Sequence, residues 1–567
     1  LRAALALGDD ALARRAYGQI TRGLGQLKTQ GTQEFRRLTL LASAYEGLEH
    51  FERAARLWLR ALPLGEAKPR ADASARQGAA RALFLAGRTQ LAQATLRDAT
   101  GTALKQLVKP KLTTGVLERL YGKLETSDPW RAWLALQLAR ARCAKADLAG
   151  CRKAALQAAA KGKDPLVRRE AQVVLDEIAK WDKVVPQRVG VLLPLTGPYG
   201  RIGKAALQAI QLAAAASPQL KLEVRDTQGD AAVAARLAKA LILDHHVSVI
   251  LGPVGVKETE ATAKVSARYG IPHVHLSATA TAARRRPTVF RARMSQAEQG
   301  EVIARYGTDV LGLKRFAILY PNHAAGRQAM AGFWDTVVAR GGEIRGVRAY
   351  PTKTKDFGAL ISALIGAKKP GKGKVDFEAL FIPGASLRVR RILPFLKYWG
   401  ITIKNTPTLR GRPGHPAVQL LGTQGWNHRA VLVRGENLTD NAIFVTPFYH
   451  DPNDPIADAF ARAFFRKHQR KPLTFHAEVY DATRLLLGAL GATGGDPNHG
   501  LRERVVTKIK STRGLRGVTG VMNVMPDGRV VKQSWILTID LETFRPRLKE
   551  QEEIERRRSR TRTGPGQ

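Results

Sequence analysis

The sequence predicts a multidomain protein in which an all-α helical region precedes a two-lobed α/β module, each lobe a parallel sheet with helices on both faces. Three observations carry this. At 567 residues the chain exceeds what one hydrophobic core organises, and its 44% hydrophobic content is enough for folded domains. Residues 1–182 are rich in Ala, Leu, Arg and Gln, with helical apolar periodicity and few β-branched runs. After Lys183-Val-Val-Pro-Gln187 the grammar changes to apolar strands alternating with helices, and it restarts at Arg315. The expected organisation is therefore a helical domain at 1–182, a linker at 183–187, the α/β module at 188–545 and a charged tail at 546–567. The tail has almost no apolar residues and reads as disordered.

Within the helical third, Leu41-Ala42-x-x-Tyr45-x5-Phe51-x-x-Ala54-x3-Trp58-x-x-Ala61 places small and large residues where two helices interlock. Ala42 and Ala54 allow close backbone approach, and Tyr45, Phe51 and Trp58 fill the space between units. This spacing resembles the tetratricopeptide repeat, a helix–turn–helix of 34 residues. Weaker copies follow around Leu83–Ala99 and Trp133–Ala160, with Pro63, Pro110, Pro129 and Pro165 punctuating the helices. Such scaffolds bind macromolecules through a concave face. Cys143 and Cys151 flank a turn segment, where they read either as a disulfide or as two small core residues.

The first α/β unit reads as strand Arg188–Leu195, loop Thr196–Gly200, helix Ile202–Ala216, strand Leu220–Arg225, helix Ala231–Leu243 and strand Val247–Leu251. That strand ends in Gly252-Pro253; helix Lys257–Tyr269 and strand Pro272–Leu276 follow. The second unit runs through strand Arg315–Tyr320, helix Gly326–Arg340, strand Ile344–Tyr350, helix Phe357–Ile365, strand Ala379–Pro383 and helix Val389–Trp399. Continuous apolar runs are typical of parallel strands buried on both faces. Two doubly wound units predict two consecutive lobes with a cleft between the carboxyl ends of their strands.

Three segments carry a resemblance: Val191-Leu-Leu-Pro-Leu-Thr-Gly-Pro-Tyr-Gly-Arg-Ile-Gly203, then Gly270-Ile-Pro-His-Val-His-Leu-Ser-Ala-Thr279 with Val289-Phe-Arg291, and finally Gly517-Val-Thr-Gly-Val-Met-Asn-Val-Met-Pro-Asp-Gly528. They resemble the opening strand and loop, a cleft-lining strand, and the closing hairpin of type I periplasmic binding proteins, the leucine/isoleucine/valine-binding class. The order of a helical-repeat domain before such a module is similar to the penicillin-binding protein activator family of outer-membrane lipoproteins. That resemblance implies a non-enzymatic periplasmic regulator, anchored as a lipoprotein, that docks on a peptidoglycan synthase. The alternative it leaves is an ABC-transporter-type substrate-binding protein for an amino-acid-like or anionic small ligand.

The expected ligand cleft collects Thr196, Gly197, Gly252, Pro253, Ser277, Ala278, Thr279, Gln424 and Trp426. Ser277, Ala278 and Thr279 leave a strand end and offer hydroxyls and backbone N–H groups, while Gly252-Pro253 brings neighbouring backbone close. Against the amino-acid-binding pattern, Val256 stands where a serine is expected and Ala325 where a tyrosine is. Gln424 stands where an acidic residue would hold an ammonium, and an amide cannot supply that charge-assisted bond. Arg284-Arg285-Arg286, Arg291 and Arg293 follow the Ser-Ala-Thr loop and read either as a cleft tuned for anions or as a solvated loop.

Other chemistry finds little support. Lys+Arg 92 against Asp+Glu 48 gives +44, which suits an anionic envelope surface or nucleic acid. Aromatics are only 6%, however, and do not interleave with basic clusters. Gly197–Lys204 misses the Walker spacing, since Pro198 and Ala205 occupy key positions. His273, His275, His245 and His246 lack a third metal ligand, and no nucleophile elbow appears. No cofactor, metal or catalytic residue is expected. The chain opens at Leu1 without a charged, then apolar, leader; any targeting segment is expected outside these residues.

Overall fold

The computed structural model describes residues 10–547, apart from 67–68, 99, 146, 162–163, 279–281, 283–285, 410, 413–414, 433–437, 494–499 and 541–542. The chain forms two compact units, Leu1–Lys180 and Trp181–Gln567.

The first unit is helical: α1 (Asp10–Gly25), α2 (Gly31–Gly47), α3 (Phe51–Gly65), α4 (Pro69–Leu85), α5 (Thr89–Leu96), α6 (Thr102–Val108), α7 (Thr114–Lys123), α8 (Arg131–Ala144), α9 (Leu148–Lys161) and α10 (Pro165–Asp182). Ala42, Ala54 and Trp58 lie in its core, with Tyr45 and Phe51 packed partly buried against it. Trp58 shows how neighbouring helices lock. Its indole N–H donates to Glu46 Oε1 at 2.8 Å, and Arg81 Nε donates to Glu46 Oε2 at 2.8 Å, so one buried carboxylate ties α2, α3 and α4 together. A methyl group at Gly78 would sit 2.4 Å from that indole. Cys143 and the fully buried Cys151 are joined as a disulfide between α8 and α9.

In the second unit, β1 (Val185–Leu193), β2 (Lys221–Asp226), β3 (Val247–Leu251), β4 (His273–His275) and β5 (Val289–Arg291) form a parallel sheet in the order β2-β1-β3-β4-β5. Helices α11 (Gly200–Ala214), α12 (Ala231–Leu243) and α13 (Val256–Arg268) connect them. The expected linker at 183–187 needs correction. β1 already starts at Val185, whose N–H donates to His246 O at 2.8 Å and which pairs with Val247 of β3.

Residues 292–295 then lead to α14 (Gln296–Arg305) and a second lobe containing β6 (Arg315–Pro321), α15 (Ala324–Ala339), β7 (Glu343–Tyr350), α16 (Gly358–Leu364), β8 (Ala379–Ile382) and α17 (Ser386–Tyr398). A two-residue ladder of β9 (Gly411–Arg412) and β10 (His415–Pro416) precedes β11 (Gln419–Gly422) and β12 (Ile443–Thr446). The expected pair of consecutive lobes is also corrected at this point. The chain crosses back after β12 into α18 (Pro455–His468), α19 (Thr474–Gly491), α20 (Leu501–Lys510) and the meander β13 (Leu515–Gly517), β14 (Gly520–Val524), β15 (Val530–Lys532). Their Val479, Leu486, Val505, Met522 and Val524 share one core with Val189, Val249 and Val274 of the first lobe. Gln533 and Ser534 lead back to β16 (Trp535–Asp540) and β17 (Thr543–Pro546), which extend the second sheet antiparallel beside β12. Its order is β17-β16-β12-β11-β8-β6-β7. Three connections therefore join the lobes. Of the expected charged tail, 548–567 lies outside the described residues.

Candidate functional site

The carboxyl ends of the parallel strands in the two sheets carry the loops that position the site. On the first lobe, Asp226 at the end of β2 organises the Thr196-Gly197 loop. Its Oδ1 accepts from the N–H groups of Leu195 (2.8 Å) and Gln228 (2.9 Å), and its Oδ2 accepts from Thr196 Oγ1 (2.6 Å). Burial raises the pKa of this carboxyl, but the hydrogen bonds from Thr196, Gln228 and Leu195 outweigh it and hold the group below its ordinary value. Both oxygens are thus committed to the loop. Gly197 follows at φ +73°.

Gly252 and Pro253 end β3. Gly252 has φ +90°, and a Cβ there would lie 2.1 Å from Leu192 O, so no other residue fits this approach of neighbouring strand ends. Its carbonyl accepts from His273 Nε2–H at 2.6 Å, while its own N–H donates to Val274 O at 3.0 Å. Burial lowers the His273 imidazole to about 4, with the Gly252 bond opposing and Arg286 adding to the shift. Burial, then the neighbouring His273 ring and the Arg291 charge, which disfavour a second cation there, drives His275 well below its ordinary value. Both histidines are neutral structural groups. Among the described residues no set of three or more His, Cys, Asp or Glu could hold a metal ion. Ser277 is buried just beyond β4 and Ala278 half-buried beside it; Thr279 lies outside the described residues, as do Arg284 and Arg285.

The second lobe supplies a cavity of about 430 Å³ at the ends of β6, β7, β8 and β11. Several devices give it one electrical sign. Ala325 and Gly326 of the first turn of α15 line it, with His323 Nδ1 capping that helix by accepting from Gly326 N–H at 3.1 Å. Ala385, the N-cap of α17, lines it too. Helix N-termini present uncompensated N–H groups and favour anions. Arg388, one turn into α17, lines the same space with its guanidinium fixed by the backbone carbonyls of Thr352 and Thr354. No Asp or Glu is among the lining residues described.

Two uncharged groups complete the wall. Tyr350 is fully buried and its hydroxyl has no hydrogen-bond partner among the described residues. Burial raises its pKa, with Arg388 opposing, so the phenol stays protonated and able to donate. Gln424 donates its backbone N–H to Gln299 Oε1 at 3.0 Å, while its own Oε1 is buried and unpartnered. Next to it, Gly425 runs so close to the β8 loop that a Cβ would lie 2.3 Å from Gly384 O.

Gln424, after β11, lines this cavity, and so does Ala325, which stands where the amino-acid-binding pattern has a tyrosine. Trp426 does not. Its ring is fully buried in the second-lobe core, its N–H donates to Ile382 O at 3.0 Å, and it packs beneath Gly422. The expectation that Trp426 faces a ligand is corrected accordingly. Val256 is an exposed residue at the start of α13. The sequence reading missed Tyr350, Arg388 and His323. Tyr350 had a usable signal, because it closes a strand immediately before Pro351.

The periplasmic binding protein family model matches residues 186–372 and 410–544, more than half of the chain. The chain belongs to the periplasmic binding protein family. Among solved structures, a protein assigned to branched-chain amino acid ABC transport from Rhodospirillum rubrum is similar over 64% of this chain and 100% of its own, at 21% identity and TM-score 0.55. An ABC transporter substrate-binding protein from Sphaerobacter thermophilus is similar over 63% of this chain and 95% of its own, at 23% identity and TM-score 0.54. These likenesses establish the fold of this periplasmic binding protein. A search of curated proteins finds no match. Among the described residues, no helix is long and apolar enough to cross a membrane.

Proposed function

We propose that this chain is a non-enzymatic, extracytoplasmic receptor for a small anionic ligand, of the kind that serves ABC transporters. The single observation that carries this reading is the second-lobe cavity, where two helix N-termini and Arg388 converge and no carboxylate stands among the described lining residues. An α-amino acid brings an ammonium as well as a carboxylate. Gln424 stands where that ammonium would need a negative partner, and the Asp226 oxygens are committed to Leu195, Thr196 and Gln228. A carboxylate without an ammonium fits this wall better. Its oxygens would accept from the Tyr350 hydroxyl and the helix N–H groups, while a hydroxyl elsewhere on the ligand would donate to Gln424 Oε1. The Thr196, Gly252 and Ser277 loops of the first lobe would close over it.

The test is calorimetric titration of the full chain with matched pairs, each an α-amino acid and its des-amino or hydroxy-acid counterpart. The carboxylates are expected to bind more tightly. Tight binding of amino acids alone would remove this reading.

A second reading is favoured by the helical unit, which the family model leaves unmatched. We propose that this tetratricopeptide-like scaffold docks an envelope protein, a peptidoglycan synthase being the partner the domain order suggests. Co-purification of a synthase with the full chain but not with residues 181–567 supports it; equal capture by both would count against it.

A further inference from the structure

A second cavity, of about 840 Å³, lies beside one of the connections between the lobes and shares no lining residue with the cleft just described. Its walls come from both lobes: Asn427–Arg429 after β11 and Phe544 of β17 on one side, α18 and the loop before α19 on the other. Asn427 pins the two sides together, its Nδ2 donating to Thr446 Oγ1 (3.2 Å), Phe448 O (3.1 Å) and Thr474 Oγ1 (3.3 Å). The interior is apolar and aromatic, built from Phe448, Tyr449 and Phe544. At the mouth, Phe465 and Leu473 remain 48% and 53% exposed, a hydrophobic surface that water covers unfavourably.

Charge separates this cavity from an ordinary packing gap. Arg429, Arg466 and Lys471 line it, and none of the three has an acidic partner among the described residues. The nearby carboxylate of Asp458 is taken by His450 and Arg462. No Asp or Glu is among the described lining residues. An apolar chamber ringed by uncompensated cations is complementary to a molecule with a hydrophobic body and an anionic head. The volume is that of a pocket for a single small molecule.

We infer that this hinge-side cavity is a second binding site, for an amphiphilic carboxylate whose apolar body lies against Phe448 and Phe544 and whose head meets Arg466 and Lys471. The ligand touches both lobes and so biases their opening. The experiment is calorimetric titration of the full chain with dodecanoate, with dodecanol and dodecyltrimethylammonium as neutral and cationic controls. Saturable one-to-one binding of dodecanoate is expected, with weak or no binding of the controls. In an Arg466→Glu/Lys471→Glu double variant, whose unchanged melting temperature establishes folding, affinity should fall about tenfold or more. No saturable binding, equal binding of the cationic control, or an affinity untouched by the double variant would each overturn the proposal. So would a dodecanoate site abolished by Tyr350→Phe alone, since that places the ligand in the cleft.

Discussion

At the residue scale the cleft depends on a few groups whose chemistry is set by burial. Replacing Tyr350 by Phe removes a buried donor whose hydroxyl has no hydrogen-bond partner among the described residues. The variant should melt at or above the parent temperature while binding a cleft carboxylate about 1 kcal/mol more weakly, as thermal melting and calorimetry would read. Gln424→Glu should reverse the ligand preference. It places a carboxylate after β11, weakening des-amino acids and strengthening amino acids, and no change of preference would show that Gln424 does not face the ligand. His273 and His275 give a pH dependence. Their pKa values are depressed in the folded state, to about 4 for His273, so the unfolded chain binds more protons below its ordinary histidine value. Stability is therefore full above roughly pH 6.5 and declines as pH falls toward 4, by about 3 kcal/mol for His273 alone. Urea unfolding across that window checks this; a flat profile would contradict it. Of these groups Gln424, His273 and His275 were named from the sequence, and Tyr350 and Arg388 were not. Tyr350 and Arg388 meet across a loop of the fold, and nothing local marks their convergence. Trp426 was placed in the cleft with Gln424 because it follows the same strand, whereas it fills the core beneath Gly422.

At the element scale, what was legible was whatever depends on local pattern. β1, β3 and β8 read directly as buried apolar runs, because parallel strands covered on both faces need no alternation. The start of β1 was placed late because Pro186 looks like a linker residue, yet its neighbour Val185 finds a backbone partner in His246 O. The pairing of Cys143 with Cys151 was left open by the spacing, since the choice between bond and core packing depends on how α8 meets α9. That crosslink closes a short loop in a helical hairpin, and chain-entropy arguments give it about 2 to 3 kcal/mol. Reductant should lower the stability of the helical unit by that amount and leave the second unit unchanged, measured by urea unfolding with hydrogen exchange resolved along the chain. Equal loss in both units would contradict the assignment.

At the scale of the whole molecule, the return of α18–α20 and β13–β15 to the first lobe was invisible in the sequence. A connection between lobes has the same local grammar as one within a lobe, and only the shared core of Val479, Val505 and Met522 with Val189 and Val274 reveals it. This topology leaves two walls joined by three connections, an arrangement in which a ligand held by both walls favours closure. A formal charge of +44 raises the local concentration of anions around the whole chain, so specificity must come from the cleft and not from the overall field.

The most direct measurement is the melting temperature of the full chain against matched amino acids and their hydroxy-acid counterparts, both members of a pair added at the same concentration, far above the dissociation constant of the hydroxy acid. A ligand at about 100 times that constant stabilises the folded state by about 2.7 kcal/mol. The account predicts that a hydroxy or des-amino acid gives this shift, that its amino-acid counterpart gives less, and that Gln424→Glu inverts the order. Stabilisation by amino acids alone, unaltered in Gln424→Glu and in Tyr350→Phe, would contradict it.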